Sequence, residues 1–140
     1  MFSVKSAYSI LANHQQLGIR EGVFCSLWQA KAMPKVFVTA WRVLLDRIPT
    51  RVNLIRRGVL VNSPLCALCN MLVESSQHLF LDCVFAQRVW SRCYRWIGIL
   101  GAQNRGTKDH MENFHLIHLS NKQNQVWLGL WAAIISYIWK

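Results

Sequence analysis

The sequence predicts a small, mainly helical domain that is stapled by one metal ion. Three observations support this fold class. Apolar residues recur at spacings of three and four along most of the chain, which is the periodicity of an amphipathic helix. Of the 140 residues, 53% are hydrophobic, so the chain is long and apolar enough to bury one core. Four side chains form a Cys-x2-Cys-x8-His-x4-Cys array, which has the spacing of a metal site.

Local signals predict the first three helices. Ser3 can cap a helix that runs through Leu11, and a polar loop follows over residues 13–22. A short helix then carries Phe24 and Trp28. The next helix begins at Pro34, which is pre-organised for a first helical position. The apolar stripe of that helix is predicted to face the core and consists of Phe37, Trp41, Leu44 and Leu45.

Pro49 is predicted to end that helix, and Thr50 to cap the following one. This short helix closes with Arg56, Arg57 and Gly58, a cationic last turn followed by the residue that favours the C′ position. Residues 59–65 are expected to approach the metal site in an extended conformation. A short β-hairpin near the metal is weakly indicated by the turn-forming residues there.

The predicted metal ligands are Cys66, Cys69, His78 and Cys83. A Cys-x2-Cys pair on a tight, knuckle-like turn directs two thiolates at one cation, and a histidine with a third cysteine completes the tetrahedron that structural zinc prefers. This set leaves no open coordination position, so one zinc ion is expected to hold shape rather than activate water. The alternative is a group of buried, reduced cysteines without a metal. Five cysteines, an odd number, and no signal-peptide pattern argue against disulfides.

The spacing from His78 to Cys83 constrains the backbone between them. On a continuous α-helix these residues differ by about 140° of rotation and about 7.5 Å of rise, too far for both to bind one ion. We therefore expect a short turn at His78 that stops before the next helix, or a helix that begins beyond Cys83. Glu74 lies four residues before His78 and could accept the second imidazole N–H. The alternative, a solvated loop acid, is the commoner position for glutamate.

A long helix is predicted after Cys83. Its apolar side is expected to carry Phe85, Val89, Cys93 and Trp96, with Arg88, Arg92 and Arg95 aligned at i, i+4 and i+7. Residues 98–110 are expected to form a linker and residues 111–140 a C-terminal helical segment. Within this segment, residues 126–139 are almost wholly apolar but too few to span a bilayer, which needs about 20.

The remaining cysteines and histidines are predicted to have no chemistry of their own. Cys25 and Cys93 lie among apolar residues, where cysteine usually serves as a small core side chain. His110, His115 and His118 lack a fourth ligand nearby, so surface or packing roles are favoured over a second metal site.

The formal net charge of +10 points to polyanions as partners, and a zinc ion bound by three thiolates would lower this charge by only one. Residues 31–57 hold seven basic residues and one acid. The expected contacts to RNA or DNA are Lys35, Arg42, Arg51, Arg56, Arg57, Arg88, Arg92 and Arg95. The alternative role for these charges is solubility and electrostatic stabilisation of helix ends. The nearby aromatic residues Phe37, Trp41, Trp90 and Trp96 lie at core spacings, which favours packing over base stacking.

No catalytic pattern is present in the sequence. The six acidic residues stand isolated along the chain, whereas two-metal polymerases and nucleases need clustered carboxylates. There is no glycine-rich phosphate loop and no Gly-x-Ser-x-Gly elbow. We expect a non-catalytic domain that has no small-molecule substrate and no membrane span.

Several stretches match the pattern of one known family in order and spacing, over residues 2 to about 97. They are Phe2–Tyr8, Leu27–Trp28, Pro34–Val36, Ala40–Arg42, Arg47–Thr50, Leu54, Arg56–Gly58, Cys66–Cys69, Glu74, His78–Phe80, Cys83 and Val89–Trp90. In these residues the chain resembles the zinc-binding domain that follows the reverse transcriptase in plant non-LTR (LINE-type) retroelements and in their degenerate genomic copies. Val38 and Thr39 stand where the family more often has aromatic or aliphatic residues, which bears on packing and not on the metal.

The resemblance implies a zinc-stapled accessory domain at residues 2–97 of a retroelement polyprotein, with a C-terminal segment truncated from a longer chain. It also implies an upstream reverse transcriptase domain as neighbour and non-specific contact with RNA or DNA. Because the sequence has no signal-peptide pattern, we expect an intracellular location, nuclear or cytoplasmic. The alternative is a structural or protein-interaction module, or a retroelement relic, with no nucleic-acid role.

Overall fold

The structure is a computed structural model that describes residues 21–98 and 105–140. Its elements are α1 (Glu21–Gln29), α2 (Pro34–Leu44), α3 (Arg51–Arg56), a π-helical turn (His78–Asp82), α4 (Val84–Ile97), α5 (Thr107–Glu112) and α6 (Asn121–Ile138). In these two ranges, strand-like pairing is limited to one antiparallel bridge between Leu65 and Val73. The mainly helical fold class is confirmed, with a single bridge where a hairpin was indicated. The helix predicted from Ser3 to Leu11 lies outside the described residues.

Helix α6 is central to the core. It packs against α1, α2 and the π-helical turn. Leu128, Trp131, Ala132 and Ile135 on one side of α6 are buried among residues of all three. Ser120 begins the helix with a capping box, in which its side chain and that of Gln123 each accept the other residue's backbone N–H. Of the helices that the structure describes, α6 included, none is long and apolar enough to cross a membrane.

The α1–α2 turn and α6 approach each other backbone to backbone. The Lys31 N–H donates to the Gln125 carbonyl at 3.0 Å. One helical turn further along α6, a Cβ atom built on Gly129 would lie 2.3 Å from the Lys31 carbonyl oxygen. Only glycine can occupy position 129 without a shift of the backbone.

The buried face of α2 differs from the predicted stripe. Pro34 occupies the start of the helix as predicted, and Phe37 and Leu44 are buried. Trp41, however, is 38% exposed, so its predicted inward position is wrong, and Leu45 is only partly buried. The face is completed by smaller residues, Val36, Ala40 and Val43. Ala40 is fully buried, and its small side chain allows the close packing of α2 against α6.

The predicted boundaries of α3 are confirmed. Thr50 Oγ1 accepts the Asn53 N–H at 3.3 Å and caps the first turn. Gly58 follows the last turn with a φ of 78°, a left-handed conformation that glycine adopts without strain. The Asn53 side-chain amide donates to the Asp46 and Ile48 carbonyl oxygens, each at 3.0 Å, and holds the α2–α3 turn against the helix.

Helix α4 buries Ala86 and Trp90, which confirms the packing role predicted for Trp90, and Cys93 from the predicted apolar side is partly buried against the core. The buried Trp90 indole donates from Nε1 to the Phe80 carbonyl oxygen at 2.7 Å. Phe85 is 48% exposed and Trp96 is 75% exposed, so their predicted inward positions are wrong. Aromatic residues occur around most of this helix, so several of its faces could be buried. The face that carries Trp90 is the buried one, because the indole N–H finds a hydrogen-bond acceptor there.

His110 on α5 links three elements of the core. Trp131 Nε1 donates to His110 Nδ1 at 2.8 Å, and because an indole nitrogen is only a donor, Nδ1 must be the acceptor. The imidazole proton is therefore on Nε2, which donates to the Tyr94 hydroxyl. The predicted packing role of His110 is confirmed, whereas His115 and His118 are exposed. Helix α5 also makes four residues of the predicted linker, 107–110, helical.

Candidate metal centre and basic surface

A tight turn presents Cys66 and Cys69, and we call it the knuckle. The Cys66 N–H donates to the Leu72 carbonyl at 2.7 Å, and the Asn70 N–H donates to the Cys66 carbonyl at 2.9 Å. Asn70 has a φ of 55°, a left-handed conformation in which asparagine is enriched. The antiparallel bridge described above closes the loop around the knuckle.

The π-helical turn brings His78 and Cys83 together. The Cys83 N–H donates to the His78 carbonyl at 2.7 Å, which is the i→i+5 bond of a π-helix. Such a wider turn places residue i+5 close above residue i, whereas a regular α-helix would separate the two by about 140°. The short turn predicted at His78 is therefore confirmed. Helix α4 begins directly after Cys83, which occupies its N-cap.

The four predicted ligands form one cluster. Their donor atoms all lie within 4.8 Å of one another, and Cys69 Sγ is 3.2 Å from His78 Nε2. Cys66 and Cys83 are fully buried, and His78 is 6% exposed. Three sulfur atoms and one imidazole nitrogen at these separations suit a closed tetrahedral zinc site.

Local hydrogen bonds prepare one thiol for the metal. The backbone N–H groups of Met71 and Leu72 bond to Cys69 and lower the pKa of its thiol to about 6. Burial raises the pKa of the Cys83 thiol, and the first N–H groups of α4, from Phe85 and Ala86, partly offset that effect. Cys69 therefore offers a thiolate at neutral pH, whereas Cys83 needs the cation itself to favour its ionised form.

Comparison with known proteins identifies the family. The model of the family zf-RVT, described as zinc-binding in reverse transcriptase, matches residues 2–90, a span that includes all four clustered ligands. The chain belongs to this family. This family is a zinc-binding domain associated with reverse transcriptase, an accessory domain rather than a catalytic one. No curated protein and no solved structure matches the chain. One structural zinc ion, held by the Cys3His cluster, is thus the cofactor of this zf-RVT domain.

Glu74 supports the zinc site by a different route from the predicted one. Its Oε1 accepts the Arg51 N–H at 3.2 Å, and its Oε2 accepts the Ala67 N–H at 3.0 Å. The predicted hydrogen bond from His78 is not formed, and within the described residues His78 Nδ1 is buried without a partner. Because Ala67 lies inside the knuckle, Glu74 ties the start of α3 to the metal loop. The carboxylate is therefore buried rather than solvated.

The cysteines outside the cluster divide into two cases. Cys93 is partly buried and packs against the core, as predicted, and burial raises the pKa of its thiol. Cys25 is exposed on α1, so the prediction of a core position for it is wrong. Most residues around it in sequence are apolar, but it lies on the face of α1 opposite the buried Leu27. Among the described residues, no second group of three or more metal-binding side chains lies within ligand distance.

Three of the eight residues predicted to contact nucleic acid form ion pairs or hydrogen bonds within the protein. Arg51 is half-buried, lies 3.6 Å from Glu74 and donates to the Ser63 carbonyl. Arg56 lies 3.4 Å from Asp46 in an exposed pair, and exposed pairs of this kind contribute little to stability. Arg57 donates to the Arg47 carbonyl at 3.1 Å. The structure thus gives these three side chains roles in holding α3 and its flanking turns.

The other five predicted contacts are exposed and have no acidic partner in the part of the chain that the structure describes. They are Lys35, Arg42, Arg88, Arg92 and Arg95. Three of them project from α4, the helix that begins at a zinc ligand. The sequence predicted that these three arginines lie along one face of the helix. It did not predict that other arginine side chains would donate hydrogen bonds to carbonyl groups distant in the chain.

Proposed function

We propose that this zf-RVT domain contacts RNA or DNA without sequence specificity, as the zinc-binding accessory domain of a plant non-LTR (LINE-type) retroelement reverse transcriptase polyprotein. The observation that carries the proposal is the stripe of Arg88, Arg92 and Arg95 on α4. These guanidinium groups are exposed and lack acidic partners among the described residues. Cations held in a row on a rigid helix are suited to successive phosphates of a nucleic acid.

The zinc site fits this role because it fixes the start of the arginine-bearing helix. Cys83 is both a metal ligand and the N-cap of α4. The metal therefore holds the helix in one orientation relative to the knuckle. In this proposal the ion has no part in chemistry, and the upstream reverse transcriptase domain of the polyprotein is the partner that acts on the bound strand inside the cell.

The alternative is a protein-interaction module that binds its partner through the tryptophan-rich C-terminal end. The packing favours nucleic acid over this alternative. Trp131 is fully buried in the core, and the Trp139 ring lies 6.3 Å from that of Phe80. This end of the chain thus uses much of its aromatic surface inside the domain.

The salt dependence of binding tests the proposal. We compare R92Q/R95Q with K108Q/K122Q, a control of equal charge change at exposed lysines on α5 and α6 rather than on α4. Binding of a labelled single-stranded RNA of about 20 nucleotides is followed by fluorescence anisotropy between about 50 mM and about 300 mM salt. Each lost phosphate contact should reduce the slope of log K against log salt by about 0.7. R92Q/R95Q should therefore lower the slope by about 1.4, and K108Q/K122Q should leave it nearly unchanged. Salt-independent binding, or equal slopes for both variants, would contradict the proposal.

A further inference from the structure

A groove lies where the knuckle, α4 and the end of α6 meet. Its volume is about 470 Å³, within the range of about 300–1,000 Å³ that small-molecule sites occupy. Leu68 from the knuckle, Val89 from α4 and Ile138 from α6 contribute apolar lining. Three separate elements therefore build one concave, mostly apolar surface beside the metal centre.

Two aromatic side chains line the groove and remain accessible. Phe85, from α4, is 48% exposed, and Tyr137, from α6, is 73% exposed. The Arg88 guanidinium carbon lies 5.8 Å from the centre of the Phe85 ring, which is a cation–π contact. Exposed rings on rigid helices are suited to stack against a flat, unpaired base at a low cost in conformational entropy.

The charged residues of the groove are all cations. Arg88, Arg92 and Lys140 line it, and among the described residues no aspartate or glutamate side chain does. A shallower pocket along α4 shares Arg88 and Arg92 and adds Arg95, again without an acid. Positive charge therefore continues from the groove along the helix, which complements a phosphate chain that enters and leaves the groove.

We infer that this groove binds single-stranded nucleic acid, with an unpaired base stacked on Phe85 or Tyr137 and the flanking phosphates on the arginines of α4. The inference rests on the proposed function and names its substrate class. A duplex buries the faces of its bases in its own stack, so it could use the cations but not the aromatic rings. A single strand can use both.

The zinc ion sets the shape of the groove. Leu68 lies between two ligands of the knuckle, Cys66 and Cys69, and Phe85 lies two residues after the ligand Cys83. Two walls of the groove are therefore anchored to one cation. This arrangement gives the metal a role in base binding through position alone.

The test distinguishes the contribution of the bases to binding from that of the phosphates. The zinc-loaded full chain is titrated with a labelled single strand of about 12 nucleotides, with an abasic strand of equal length, and with the corresponding duplex. Phe85→Ala and Tyr137→Ala are compared with Trp28→Ala, a half-exposed aromatic residue on α1 outside the groove. Stacking on one ring is worth about 5-fold or more in affinity. We expect Phe85→Ala, Tyr137→Ala or both to lose that factor for the base-bearing strand, with abasic binding unchanged, and Trp28→Ala to bind like the unmodified protein.

Each of the following outcomes would contradict the inference. If base-bearing and abasic strands bind equally and neither groove variant changes them, the inference fails while the proposed function stands. If no strand binds, the proposed function fails as well. A preference for duplex, or a dimer in sedimentation that Tyr137→Ala dissociates, would give the groove a different occupant and overturn the inference. The melting temperature of each variant shows whether it is folded. If Phe85→Ala perturbs α4, Tyr137→Ala still tests the inference, because Tyr137 is the more exposed residue.

Discussion

Among the described residues, Glu74 and His110 are the two most buried ionisable side chains outside the metal cluster, and their surroundings differ. Glu74 has Arg51 beside it and accepts two backbone N–H groups. In the part of the chain that the structure describes, the His110 side chain has two hydrogen-bond partners, both neutral: the Tyr94 hydroxyl and the Trp131 indole. Burial of His110 therefore favours the neutral imidazole and lowers its pKa to about 4.

This shift predicts a loss of stability in mild acid. In the unfolded chain the His110 pKa is about 6.5, so the unfolded state takes up a proton first as the pH falls. The contribution of neutral His110 is present above pH 6.5 and is lost between 6.5 and 4. Between pH 7 and pH 5 the free energy of unfolding should fall by about 2 kcal/mol from this residue alone. Denaturant unfolding of the zinc-loaded protein at each pH measures it.

His110→Gln provides the control, because glutamine can still accept from Trp131 but does not titrate. Acid also protonates the zinc ligands in both proteins, so the informative quantity is the difference between the two pH profiles. Parallel profiles between pH 7 and pH 5 would show that His110 is not the cause.

At the scale of secondary-structure elements, the position of α6 depends on one close contact. The carbonyl of Lys31 approaches Gly129 so closely that a Cβ atom would lie 2.3 Å from it. Because the atom in the way belongs to the backbone, no side-chain rotation can relieve the clash. α6 would have to move away from the α1–α2 turn, and the core between them would lose packing.

We predict that Gly129→Ala destabilises the domain by about 1–3 kcal/mol or more, the range for overpacked sites, despite the better helix propensity of alanine. Gly22→Ala is the matched control, since it also lies in a helix but its Cβ would meet none of the described residues within 4 Å. Gly22→Ala should leave stability unchanged or raise it by about 1 kcal/mol. Thermal unfolding distinguishes the two variants, and equal melting temperatures would contradict the contact.

The predictions made from sequence succeeded where the signal is local. Thr50, Pro34 and Gly58 act within one turn of their own position, and the structure confirms all three. The exposure of Phe85 and Trp96 on α4 was not predicted, because the carbonyl group that accepts from the buried Trp90 belongs to the π-helical turn and no periodicity within α4 encodes it. Trp41 was mispredicted for a related reason, since close packing against α6 favours the small Ala40.

The same distinction applies to the site. Spacing alone identified the four clustered ligands, because each pair is constrained by a short turn. The role of Glu74 could not be predicted, since its partners Arg51 and Ala67 are distant in sequence or donate through the backbone. The groove beside the zinc also gave no signal, because its lining comes from three elements separated by up to 72 positions, from Leu68 to Lys140.

At the scale of the whole molecule, two features hold the described helices together: the apolar core and the zinc site. The apolar core around α6 joins α1, α2 and the π-helical turn. The zinc site joins the knuckle to the start of α4, where few apolar contacts would otherwise fix the loop. Residues 60–73 include exposed apolar side chains such as Leu60 and Met71, so this region depends on the metal more than the rest of the domain does.

The most direct test of this account is the thermal melting of the protein, with its far-UV circular dichroism and metal content, before and after chelation. We predict one zinc ion per chain, and a chelated protein that loses helical signal and melts at lower temperature, with residues 60–97 the first to lose hydrogen-exchange protection. Cys69→Ser should reproduce the loss, whereas Cys25→Ser, at an exposed thiol outside the cluster, should not. A chelated protein with unchanged helicity and melting temperature would contradict the claim that zinc holds this fold together.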